Sequence, residues 1–76
     1  MIAPADWFNV TSTVIAAIAY DDAAERIYVR LHSGDVVYFE DCDVALWQRF
    51  SSPAIGKGEF MKNVLERHTY RRVPGV

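Results

Sequence analysis

One cysteine, Cys42, stands in the whole chain, so no internal disulfide framework can form, and such economy suits a reducing compartment. Two histidines and that lone thiol do not supply the roughly four ligands of a zinc site; neither a metal nor another cofactor is expected. No spacing joins a nucleophile to a base and an orienting group, which points away from an enzyme. Long apolar runs are missing too. The longest, VIAAIAY, falls far short of the roughly 20 residues that span a bilayer. The opening MIAPADWF has no basic segment leading a hydrophobic one, so it does not read as a signal peptide. A soluble, cytoplasmic protein is the expectation.

Positive charge is scarce as well. The net charge is −2, whereas an indiscriminate nucleic-acid binder needs an excess of Lys and Arg to neutralise phosphates. The distribution is uneven, however. Residues 1–56 carry Arg26, Arg30 and Arg49 against eight acidic side chains, a sum of −5. Residues 57–76 carry Lys57, Lys62, Arg67, Arg71 and Arg72 against two, a sum of +3. The chain is therefore dipolar, acidic first and basic last.

What is present is a single small domain: 76 residues, 51% hydrophobic and 24% charged, too apolar for disorder and too short for a second core. TVIAAIAY, residues 13–20, is rich in apolar and β-branched residues and stops at Asp21-Asp22, which predicts a strand. In RIYVRLH, residues 26–32, Ile27, Val29 and Leu31 alternate with Tyr28, Arg30 and His32, the clearest period of two in the chain. Ser33-Gly34 suits a tight reversal, and residues 35–39 form a third strand with Val37 and Phe39 on one face. Asp43 is a good N-cap for a short helix over VALWQRF, ended by Ser51-Ser52-Pro53. After Gly56-Lys57-Gly58, a stripe of Phe60, Met61, Val64, Leu65 and His68 predicts an amphipathic helix. Tyr70 to Val76 reads as a basic tail. The predicted class is α+β: a three-stranded antiparallel meander followed by two short helices packed on one face. Its core pairs Ile27, Val29, Leu31, Val37 and Phe39 with Phe50, Phe60, Val64 and Leu65.

In this order VTSTVIAAIAYD, RLHSGDVVYF, an acidic turn and a Gly-led helix resemble the KTSC family, small bacterial and phage-type domains also found at the C-terminus of some lysyl-tRNA synthetases. The resemblance covers residues 10–71, leaving 1–9 as an N-terminal arm and 72–76 as a tail. It implies a small α+β fold and, since RNA binding has been suggested for the family, an RNA-binding alternative. Two positions depart from the family pattern. Tyr-x-Tyr after the central glycine is here Val37-Tyr38-Phe39, and Ser-x-Gly before the last helix is Gly56-Lys57-Gly58. Packing and turn roles survive both substitutions; ligand contacts by the missing hydroxyls do not.

Two candidate binding surfaces follow. The basic end combines Lys57, Lys62, Arg67, Arg71 and Arg72 with Tyr70, able to track a phosphate backbone while Tyr70 stacks on a base, or to meet an acidic protein. Its alternative is a solvated helix face and tail. The sheet face opposite the helices carries Tyr28, Arg30 and Tyr38 beside Val36, either an exposed contact platform or a surface packed under Trp7 and Phe8. Gly56-Lys57-Gly58 is either an anion cradle, which Glu59 opposes, or a loop whose glycines supply unusual backbone angles. The expectation drawn is a non-enzymatic macromolecule-binding module. Its partner is a protein ahead of RNA, in the manner of a small phage-type regulator docking on a host transcription or translation complex.

Overall fold

The computed structural model describes residues 7–73. Within them the chain runs β1 (Phe8–Asn9), β2 (Ile15–Asp21), β3 (Arg26–Leu31), β4 (Val36–Phe39), α1 (Val44–Ser51), α2 (Lys57–Asn63), a 3-10 turn (Leu65–Arg67) and β5 (Tyr70–Arg72). The class is α+β as expected, but the three-stranded meander becomes a five-stranded sheet in the order β1-β2-β3-β4-β5, antiparallel throughout. The two added strands are short. β1 has two residues, and the three of β5 are all exposed, so neither displays the alternation that betrays a strand. The sheet thus reaches from Phe8 to Arg72, beyond the expected core of 10–71, while residues 1–6 and 74–76 of the arm and tail lie outside the described residues.

The three central strands follow their sequence pattern. Ile27 pairs with Phe39 and Val29 with Val37 across β3 and β4, which puts their side chains on one face. β2 needs a correction to its period: Ile15 and Ile18, three apart, both enter the main core. The register shift between Ile15 and Ala17 makes that possible, because a bulge adds a residue and resets which face follows. At the β3–β4 reversal Gly34 adopts φ +98° and its N–H donates to the Leu31 carbonyl at 2.9 Å. A Cβ there would meet nothing within 4 Å. Gly34→Ala is therefore expected to destabilise by backbone strain alone, about 1–2 kcal/mol, read as a lowered urea midpoint with an unchanged slope.

Asp43 caps α1, its Oδ1 accepting from the Leu46 N–H at 2.9 Å, and the helix stops at Ser51, one residue past its expected end. The second helix is shorter than its apolar stripe. It ends at Asn63, and the 3-10 turn follows before His68. Asn63 and Val64 are weak helix formers, and the chain must turn back here for Tyr70 to pair with Phe39. Both helices and the 3-10 turn cover one sheet face, burying Phe50, Phe60 and Leu65 against Ile15, Ile18, Ile27, Val29 and Phe39. The opposite face has a smaller core of its own: Ala19, Tyr28, Val36, Tyr38 and Val73, with Trp7 packed against it. No helix among the described residues is long and apolar enough to cross a membrane.

Candidate interaction surface

The expected sheet-face platform is closed. Tyr28 and Tyr38 are 1% and 6% exposed, their rings tilted against each other at 5.3 Å. Arg26 lies over the Tyr38 ring at 4.6 Å, and Arg30 over the Trp7 ring at 4.4 Å. Of the two readings of this face, packing under the arm holds for Trp7. It does not hold for Phe8, which one residue later points to the other side and meets Trp47 at 6.2 Å. Alternation along an extended chain separates the pair. Tyr28 and Tyr38 are thus core residues, and only Arg30 of the three reaches partly into solvent.

The basic end is divided. Tyr70, Arg71 and Arg72 lie on β5, fully at the surface, but Arg71 reaches Glu40 at 3.6 Å and Arg72 pairs with Asp35. Glu40 also holds Arg26 at 3.4 Å. Two of the arginines meant for a partner therefore face carboxylates from the acidic part of the chain. Lys62 and Arg67 remain exposed on α2 and the following turn, without an ion pair among the described residues. Lys57 belongs elsewhere, for it is only 8% exposed.

The glycines of the Gly-Lys-Gly loop supply no unusual backbone angles. Gly56 caps the helix at φ −70°, ψ 113°, angles open to any residue, and Gly34 is the glycine with positive φ among the described residues. The Glu59 carboxylate stands 3.8 Å from where a Gly56 Cβ would be, so a negative charge already covers the loop. What the loop does position is the Lys57 side chain. Its Nζ donates to the carbonyls of Ser52 at 2.7 Å and Ile55 at 3.1 Å, and burial alone pushes its pKa below the ordinary lysine value.

Lys57 lines a cleft of about 560 Å³ between the β1 edge and the helices, together with Phe8, Val10, Ile18, Trp47 and Ile55. Trp47 is fixed there. It stacks on Tyr20 at 5.4 Å and 8°, and the Tyr20 hydroxyl donates to the Cys42 carbonyl at 2.7 Å. Phe8, by contrast, is 59% exposed at the rim. The cleft was not among the surfaces the sequence singled out, although the apolar pair Trp7-Phe8 carried a signal for it. The assembly of Phe8 with Trp47 and Lys57 depends on pairings between residues far apart in the chain.

Cys42 and His68 meet in the fold at 4.0 Å without forming a nucleophile and base. His68 Nδ1 lies 3.1 Å from the Glu40 carbonyl; a carbonyl only accepts, so that nitrogen carries the proton and cannot take one from sulfur. The thiol is fully buried, near the Phe39 and Glu40 carbonyls at 3.5 Å. Desolvation first, with acidic neighbours adding to it, pushes its pKa up to about 11, so it stays a thiol at neutral pH. Among the described residues no group of three His, Cys, Asp or Glu side chains is placed to hold a metal ion.

No family model matches the chain, and neither does any curated protein. A similar solved structure is that of a KTSC domain protein from Yersinia pestis, with a TM-score of 0.81 and 22% sequence identity over 90% of this chain and 96% of that one. The chain has the fold that the sequence resemblance implied.

Proposed function

We propose that the chain is a non-enzymatic protein-binding module that takes an extended segment of its partner against the β1 edge, over the cleft. The observation that carries this reading is the exposed Phe8 on a sheet edge beside an apolar-floored cleft. The Val10 N–H is spent on the Ala16 carbonyl at 3.2 Å, so by the alternation of an antiparallel ladder the Asn9 N–H and C=O point away from β2. Outward backbone groups of an edge strand are a template for another strand. An aromatic beside a pocket is the residue type that anchors protein contacts. RNA binding at the basic end has less support, because Arg71 and Arg72 already face carboxylates.

A display library of random peptides panned against the purified chain is expected to enrich one sequence class. Phe8→Asp should weaken the enriched peptide at least about tenfold while moving the urea midpoint little, because Phe8 is largely exposed. Enrichment of nothing, or equal binding by the variant, would overturn the reading. So would a single-stranded RNA oligonucleotide that binds more tightly than any enriched peptide, loses affinity steeply with salt and depends on Lys62 and Arg67.

A further inference from the structure

We infer that the cleft receives the free carboxyl terminus of the partner polypeptide, with the Lys57 ammonium as its anchor. The inference rests on the protein-binding reading and names the segment bound. Its basis is a charge in an unusual place. Lys57 is more than nine-tenths buried, and buried charges are paired as a rule, since an unpaired one is strongly disfavoured in a poorly solvated site. Here no ion pair holds it among the described residues. An ammonium has three donors; two go to the Ser52 and Ile55 carbonyls.

The cleft supplies complementarity for the rest of a chain end. Lys57 is the one charged residue among its described lining residues, and Glu59, which stands by Gly56, is not one of them; a cation with no carboxylate beside it in the cleft attracts an anion. Ile18, Trp47 and Ile55 offer an apolar surface to a side chain entering beside that anion. Volume and ladder length select a terminus over a segment passing through. The cleft of about 560 Å³ lies within the range that holds a small molecule, and β1 is only two residues long. A last residue brings an apolar side chain and a carboxylate together in so small a space. Desolvation of the ammonium has already been incurred in folding, so an arriving carboxylate gains attraction without that part of the penalty.

Clamping the loop between Ser52 and Lys57 is a structural role that Lys57 fills in any case, and it predicts no discrimination between an acid and an amide. The test therefore changes the ligand first. Three probes are titrated into the isotopically labelled chain and followed by amide chemical shifts: N-acetylphenylalanine, N-acetylphenylalaninamide and N-acetyl-aspartyl-phenylalaninamide. The first is expected to shift Phe8, Asn9, Thr11 and Lys57 saturably, and the second to bind at least about tenfold more weakly, a difference of about 1.4 kcal/mol. Lys57→Met, if folded, should abolish the difference between the two. Equal binding of acid and amide, or no shift by either, overturns the anchor. Tight binding of the aspartyl probe overturns the assignment to a chain terminus. An enriched displayed peptide with no preference for its free carboxylate sinks this inference and leaves the protein-binding reading standing. Failure of enrichment together with silent probes sinks both.

Discussion

Phe50→Ala is expected to remove a large share of the protein's stability. Phe50 is the one fully buried side chain of α1. Its ring stacks on Phe60 at 5.4 Å and meets the Trp47 edge at 6.4 Å, so it joins both helices to the face of the sheet. Removing a buried phenylalanine destabilises by about 3–5 kcal/mol, through lost transfer energy and the cavity left behind. A domain of this length has roughly 4–11 kcal/mol in total, at about 0.05–0.15 kcal/mol per residue. Urea unfolding followed by tryptophan fluorescence measures the loss directly, because Trp47 is a neighbour. Phe50→Leu, which keeps most of the volume, should lose less than about 1.5 kcal/mol. A midpoint for the alanine variant close to that of the parent would mean that α1 is not held by Phe50.

Alkaline pH is expected to be the second large perturbation. The Cys42 thiol has an ordinary value of 9.0 and is raised to about 11 in the fold by desolvation, helped by nearby carboxylates. Below pH 9 both folded and unfolded chains keep the proton. Between those two values the unfolded chain releases it and the folded one does not, so stability falls as pH rises; above the upper value the loss is complete. Two pH units correspond to a loss on the order of 2–3 kcal/mol. Tyr20 adds to the effect, since burial raises its pKa as well. Lys57 acts in the opposite direction: its lowered pKa makes stability rise with pH on the approach to the ordinary lysine value. Comparing the pH dependence of unfolding in the parent with that of Cys42→Ala isolates the thiol. The variant should lack this fall, and parallel curves would show that the thiol ionises equally readily in both states.

Legibility differed between the sheet and the candidate site for a physical reason. In β3 the alternation of Ile27, Val29 and Leu31 with Tyr28, Arg30 and His32 indicated the strand and its faces, because side-chain direction in an extended chain has a strict period of two. The Asp43 cap and the Ser52-Pro53 stop bracketed α1 almost to the residue, because both act on neighbouring backbone. The same local logic misjudged Tyr28 and Tyr38. Alternation says that they share a face, not whether another layer covers it, and Trp7 and Val73 pack there from the two ends of the described chain. Likewise the excess of positive charge from Lys57 onward is real in the sequence, but Arg71 and Arg72 are partly offset by Glu40 and Asp35 once β5 lies beside β4.

The amino-acid order alone determined the α+β class, the three central strands, the reversal at Gly34 and the beginning of the first helix, all of which rest on preferences spanning a few residues; the second helix begins at Lys57, inside the expected glycine loop. Tertiary structure alone decided that the sheet has five strands, that the tyrosine face is interior, and that Phe8, Trp47 and Lys57 surround one cleft. Those outcomes depend on contacts between segments far apart in the chain. Burial and charge compensation are properties of the assembled neighbourhood, and no local period encodes them.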